Sequence, residues 1–332
     1  MRTLPRLLVL LTVCLSLLRA HGVAAAPVGV YLTWLGDPAS TMLVNWVDRD
    51  AVAPARVWYR PAQGGEWLKA EGGAASSLGG EVWIRRAELT GLAPDTVYEF
   101  APGDAAPPAG ARADRFRTVP DKLERPVRFI SGGDTMHRRD WFEAMNRVAG
   151  AQDPDFALIA GDLAYADDKS LGRWLDWFAA VYQTLRAPDG RLVPMVIGIG
   201  NHEVKGHYDG RVPEDAVFFH AFFALPQDRT FYALDFGSYL SLLLLDTDHT
   251  RPIAGAQTEW LASALAARAD RRFVFPAYHY PAYGTTKRPK YGVLPSEHPR
   301  SQAIRREWSP LFEKNAVTAV FENDHHAYKR TY

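Results

Sequence analysis

The chain has 332 residues, 47% of them hydrophobic and 23% charged, and its 38 basic side chains are balanced by 38 acidic ones. That balance leaves out a globally basic nucleic-acid binder and a polybasic membrane adsorber, so an anionic ligand must be captured locally. The single cysteine, Cys14, lies near the N-terminus. The rest of the chain can form neither a disulfide nor a thiolate metal site, and a bound metal would need oxygen and imidazole ligands.

The first 26 residues read as a cleaved secretory signal peptide. Arg2 and Arg6 precede an apolar run from Leu7 to Leu18, and Ala24 and Ala26 give a small-residue cleavage pattern with the mature chain starting at Pro27. The apolar run is shorter than the roughly 20 residues a membrane-spanning helix needs, so no stable membrane anchor is expected. The leader holds no adjacent arginines of the twin-arginine type, which favours the general secretory route. A secreted or periplasmic location is the expectation.

From Pro27 to about Pro120 the pattern predicts an all-β sandwich. The short β-branched and aromatic runs "VYLTWL", "TMLVNWV", "ARVWYRP", "VWIRRAEL", "TVYEF" and "RFRTV" are separated by Gly, Pro, Asp and Ala. In "LTGLAPDTVYEF", Leu92, Pro94 and Tyr98 resemble the corner at which a tyrosine hydroxyl bonds back to the backbone, and Trp46 is the expected core aromatic. The stretch resembles a fibronectin type III-like module.

A polar connector, "VPDKLERP" (119–126), marks the domain boundary, and from 126 to 332 apolar strands alternate with helix-like segments, which predicts an α/β layered domain. Its strands share one property. "PVRFISGG" runs into Asp134, and "FALIAG" into Asp162 with Tyr165 three residues on. "PMVIGIG" runs into Asn201 and His202, and "RRFVFPAY" into His279. The apolar "AVTAV", read as a buried strand, leads through "FEN" to Asp324, His325 and His326. One such residue reads as a turn or a helix cap. Five strand ends mixing Asp, Asn and His point to a ligand crevice at the carboxyl edge of an α/β sheet. Gly133, Gly161 and Gly200 stand directly before the polar residue, where a backbone must bend tightly.

"GGD", "GDLAY", "GNHE", "AYHYPAY" and "NDHHAYKR" resemble the five blocks of the calcineurin-like metallophosphoesterases. The Tyr of "GDLAY" and the preceding sandwich narrow the resemblance to the purple acid phosphatases. It implies a layered α-β-β-α catalytic domain, a dimetal centre and a small phosphorylated substrate, with no nucleic-acid partner. By this resemblance Asp162 bridges two metals. Asp134, Tyr165 and His326 complete the first site, Asn201 and His279 serve the second, and His202 acts at the leaving group. Two cations about 3.5–4 Å apart can clamp a phosphate, hold a hydroxide and stabilise the departing oxygen. A tyrosine with a free pKa near 10 ligates as tyrosinate only beside a strong Lewis acid, so Fe(III) is expected at Tyr165, with Fe, Mn, Zn or Mg as the second ion.

Two blocks depart from the family pattern. Its final Gly-His-x-His is here Asn323, Asp324, His325 and His326, and Met136 replaces the Gly of Asp-x-Gly in "DTMH". Strand alternation assigns Asp324 to the second metal and His325 to the other face; a one-residue shift would instead bring in His325. The extra carboxylate favours harder ions such as Mn or Mg. His137, His298 and His325 are outer-sphere candidates. The loop "GTTKRPKYGVLPSEHPR" carries Lys287, Arg288, Lys290 and Arg300, where larger family members have a His pair, and reads either as substrate-binding or as solvated surface. His207, His220 and His249 lack a motif, and Asp246 reads as structural. The family usually continues with further strands, whereas this chain stops at Tyr332, so a truncated or unusually short second domain is expected. The function that follows is a secreted dimetal phosphomonoesterase. The alternatives are a phosphodiesterase and an exported binding protein with a degenerate site.

Overall fold

The computed structural model describes residues 26–206, 212–285, 287 and 293–330. The leader up to residue 25, His207, Arg288 and Lys290 lie outside the described residues.

The N-terminal domain contains β1 (Gly29–Thr33), β2 (Met42–Asp48), β3 (Arg56–Pro61), β4 (Leu68–Glu71), β5 (Ser76–Leu78), β6 (Val82–Leu89), β7 (Val97–Pro102) and β8 (Asp114–Arg117). They form two antiparallel four-stranded sheets, ordered β1-β2-β6-β5 and β4-β3-β7-β8. Trp46 is buried, as are Val57, Phe100 and Phe116 of the other sheet. The Tyr98 hydroxyl accepts a hydrogen bond from the Ala93 amide at 2.8 Å, which is the predicted corner. β4 and β5 gave no signal in the sequence. They are short, largely exposed runs rich in Lys, Ala, Glu and Ser, residues with little strand preference of their own.

The second domain carries a parallel sheet ordered β11 (Met195–Gly198), β10 (Phe156–Ala160), β9 (Phe129–Gly132). A second sheet is ordered β12 (Tyr232–Phe236), β13 (Leu240–Leu244), β14 (Phe273–Tyr278), β15 (Phe321–Glu322), with only the β12–β13 pair antiparallel. The helices are α1 (Arg139–Gly150), α2 (Leu171–Thr184), α3 (Val217–Phe222), α4 (Ala256–Ala266), α5 (Pro299–Glu307) and α6 (Ser309–Lys314). In α2, Trp174, Trp177, Phe178 and Val181 are buried at the helical spacing i, i+3, i+4, i+7, and Ser170 caps its start by accepting from the Arg173 amide. The helical stretch from 299 to 314 is split into two helices. Pro310 sits in the first turn of α6 and has no amide proton to continue the ladder of α5.

The run Ala316–Val320 is not the buried strand expected of it. Ala316 has φ 48°, no residue of the run is fully buried, and pairing with β14 starts only at Phe321. It follows α6 and meets β14 at Thr318, whose amide donates to the Val274 carbonyl at 3.1 Å.

The two domains share one core. β1 and β2 are buried on both faces, which is why their sequences lack alternation. Tyr31 stacks on Phe178 at 4.4 Å, and Trp34 meets Phe156 and Phe236 edge-on. At the connector Arg117 and Arg125 both reach the buried Asp155, at 2.7 and 2.8 Å. Burial alone would raise the Asp155 carboxyl. Hydrogen bonds from Arg125 and the Arg128 amide, with the charges of Arg117 and Arg125, hold it below the usual carboxylate range.

This pair therefore stabilises the fold above an unfolded carboxyl pKa near 4 and ceases to do so as pH falls through the depressed native value. Asp155→Asn should cost about 1–3 kcal/mol at neutral pH. Calorimetry should show a melting temperature gap between wild type and variant that narrows as pH falls below about 4. An identical gap at pH 7 and pH 3 would contradict this account.

Candidate metal centre

β9, β10, β11, β14 and β15 run parallel within their sheets, so their carboxyl ends share an edge. The loops leaving those ends carry Asp134, Asp162 with Tyr165, Asn201 with His202, His279, and Asp324 with His326. Gly161 has φ 98°, and a Cβ there would lie 2.7 Å from His279 Nδ1; at Gly133 it would lie 2.8 Å from the Asn323 side chain. Only glycine lets these loops close on one another. Asp134, Asp162, Tyr165, Asp324 and His326 all adopt positive φ, between 43° and 66°. Left-handed backbone is uncommon for residues other than glycine, and it gathers at sites where side chains must be aimed. Asp324 and His326 thus lie beyond the strand in tight turns. Their separation from His325 comes from those turns and not from strand alternation.

Two groups of ligand atoms meet around Asp162. In one, the Tyr165 hydroxyl lies 3.2 Å from Asp134 Oδ1 and 3.0 Å from His326 Nε2, and His326 Nε2 is 2.9 Å from Asp134 Oδ1. In the other, buried His279 presents Nε2 at 3.2 Å from Asp162 Oδ2, 3.2 Å from Asn201 Oδ1 and 3.9 Å from Asp324 Oδ1. One ligand atom each from Asp134, Asp162 and His279 lie within 4.8 Å of one another.

The electrostatics call for cations. Burial would strip a proton from His279, yet the charges of Asp162 and Asp134 push it up to about 10. Burial, then Asp134 and Asp162, drive the Tyr165 phenol far above its ordinary value. Burial opposes ionisation of Asp134, but His279 and His326 hold its carboxyl down. A metal ion would meet the same demand for positive charge that a proton on His279 meets here, and the donors are all oxygen or imidazole. The residues present fit bound metal, with ligand atoms of Asp134, Asp162 and His279 brought together.

Two residues given no role from sequence organise the site. Glu203, the last residue of "GNHE", is buried and accepts from the backbone amides of Asp162, Leu163 and Gly200 at 2.7–2.8 Å. Burial and the Asp162 charge push it up to about 8. Asp167 Oδ1 lies 2.5 Å from His202 Nδ1. The His202 amide donates to Asp162 Oδ1 at 2.8 Å, and its Nε2 faces Asp162 Oδ2 at 3.8 Å. Glu203 stood inside "GNHE" and Asp167 two residues beyond "GDLAY", but a carboxylate aimed at backbone or at a neighbouring ring has no spacing rule of its own.

The remaining histidines fall in different surroundings. His137 is exposed, with its ring 5.5 Å from Tyr165 and 6.4 Å from His326. His325 is buried, its Nε2 3.6 Å from Asp324 Oδ2 and its Cε1 against Gly284. His298 caps α5 through the Arg300 amide and stacks on Tyr280. His249 is buried with its ring 5.6 Å from that of His279, and His220 lies in α3. Met136 is buried in the core, and Asp246 accepts from Thr230, His249 and Thr250 beneath the site.

Residues 117–326 match the calcineurin-like phosphoesterase family, and residues 27–118 match the purple acid phosphatase N-terminal domain. The first match covers more than half of the chain, which belongs to the calcineurin-like phosphoesterases. Within that family it is purple acid phosphatase-like. It is 29% identical over 356 residues to an uncharacterized protein of Mycobacterium tuberculosis, covering 93% of this chain and 63% of that protein. To purple acid phosphatase 23 of Arabidopsis thaliana it is 25% identical over 351 residues, covering 92% of this chain and 72% of that protein. A solved structure of PhoD shares the fold, with a TM-score of 0.58 at 16% identity over 91% of this chain and 72% of that one.

Glu203→Gln puts an amide group against backbone N–H donors. The expected cost is about 1–3 kcal/mol, read as a lower melting temperature together with reduced metal retention on gel filtration. A variant that melts and retains metal like wild type would show that those amides do not depend on Glu203.

Proposed function

We propose that this chain is an exported dimetal phosphoesterase that hydrolyses phosphate monoesters. The observation that carries this reading is the convergence of Asp134, Asp162 and His279 from three separate strand ends. Asp134, Asp162, Tyr165 and His326 would hold one ion, and Asp162, Asn201, His279 and Asp324 the other. The bound ions would supply Lewis-acid charge to a phosphate and to its attacking and leaving oxygens. Tyr165 favours Fe(III) at the first position, because so unfavourable a phenolate needs a strong Lewis acid. Export rests on the leader pattern of residues 1–26. Among the described residues no helix is long and apolar enough to cross a membrane. The Tyr98 corner supports reading the N-terminal sheets as a fibronectin type III-like sandwich.

His202 is the proton donor in this reading. Asp167 engages Nδ1, which fixes the ring and leaves Nε2 turned toward Asp162. A ring held in this way can deliver its Nε2 proton to the leaving oxygen of an ester, and Asp167 is a positioning residue for that transfer.

Elemental analysis of the purified chain should give two ions per protein, with a visible absorption band if iron is bound to Tyr165. Asp162→Ala should release both ions and abolish phosphatase activity; wild-type metal content in that variant would remove the bridging assignment. His202→Ala should retain metal and lower kcat by about 10²–10⁴-fold. The loss should be larger for alkyl phosphates than for aryl phosphates with good leaving groups, and equal losses on both would exclude the proton-donor role.

A further inference from the structure

Asp324 is the residue at which this chain departs from the histidine of its family, and the structure gives the departure a partner. The Lys287 ammonium lies 2.6 Å from Asp324 Oδ1. The carboxylate is buried, whereas the lysine side chain is 45% exposed. The two carboxylate oxygens face different ways. Oδ2 turns to His325 Nε2 at 3.6 Å, and Oδ1 turns to His279 Nε2 at 3.9 Å. The Asp324 amide is tied separately to Asp134 Oδ2 at 2.8 Å. The oxygen that faces the group around His279 is therefore the one Lys287 already occupies.

We propose that Lys287 sets the affinity of the second metal position by competing with the metal for Asp324 Oδ1. This rests on the reading that Asp324 belongs to that position. A histidine could serve the metal as a neutral ligand and would need no counter-charge. An aspartate adds a buried negative charge beside Asp134 and Asp162, and a buried charge must be paired. Lys287 supplies the pairing from the solvent side. An ion arriving between His279, Asn201 and Asp162 must share Oδ1 with the ammonium or displace it. The ammonium is half-exposed and hydrates easily, so displacement is feasible, but it lowers the metal's net gain. Lys287 is thus a determinant of how tightly the second ion is held, and the lysine and the aspartate act as one unit.

The test is equilibrium dialysis of the full chain against a series of buffered free Mn(II) concentrations, with bound manganese counted per protein. For a half-exposed ion pair the competition is worth about two- to fivefold in affinity. Lys287→Met should take up its second ion at about two- to fivefold lower free Mn(II) than wild type, with the first ion unchanged. Lys287→Arg, which keeps the charge, should behave as wild type. In an Asp324→Asn background, Lys287→Met should change nothing further. If Lys287→Met binds two ions with wild-type affinities, the competition is refuted while the dimetal reading stands. If neither wild type nor Lys287→Met takes up more than one ion, both readings fail. Loss of the first ion as well in Lys287→Met would assign the lysine to the fold of the site and also refute the competition.

Discussion

Three backbone amides, from two loops that leave different strands, point at the single buried carboxylate of Glu203. The loop after β10 and the loop after β11 could not otherwise lie so close, because each presents N–H donors to the other in a place water does not reach. Glu203 satisfies both, and the geometry of Asp162, Asn201 and His202 follows from it. A buried acceptor of this kind is expensive to leave unmatched, so the loops are held as a unit. The raised pKa of Glu203 reflects the tension in that arrangement: amides favour the anion, while burial and Asp162 oppose it.

The domain junction extends the same rigidity. Strands β1 and β2 are buried on both faces because α2 and the second domain cover them. The Tyr31 hydroxyl donates to the Phe222 carbonyl and the Arg86 guanidinium to the Ala221 carbonyl, so the end of α3 is fastened to the N-terminal domain. Phe218, at the start of α3, donates its amide to Asp168, one residue beyond the Asp167 that engages His202. The N-terminal sheets thus brace the loop that carries Asp167, the carboxylate that engages His202.

Much of this was legible in the chain itself. Ligand types after apolar strands survive translation into structure because parallel strands must end at a common edge. The glycines before Asp134, Asp162 and Asn201 were legible for the same reason. The two domains showed in the change from β-branched runs to alternating strands and helices. Other features were not legible. β4 and β5 are held by neighbours and not by their own residues. Ala316–Val320 has a strand's composition, but Ala316 turns left-handed at φ 48° and the run joins no sheet. Glu203 and Asp167 act through backbone and ring contacts that leave no periodic trace, and the Lys287–Asp324 pair joins residues 37 apart in the chain.

The pairing of β15 with β14 involves only Phe321 and Glu322. The Glu322 side chain adds acceptors for the Tyr278 hydroxyl and the Ala282 amide, and Lys329 closes back on it at 3.0 Å. The arm bearing Asp324 and His326 is therefore a short clasp, whereas the other four arms grow from longer paired strands. Amide hydrogens along residues 323–330 should exchange with solvent well before those of β10 or β11, since local opening follows the least-paired segment. Closing the clasp and completing the donor set are then one event. A bound cation would act as its latch, ordering a stretch of chain that the sheet by itself grips with two residues.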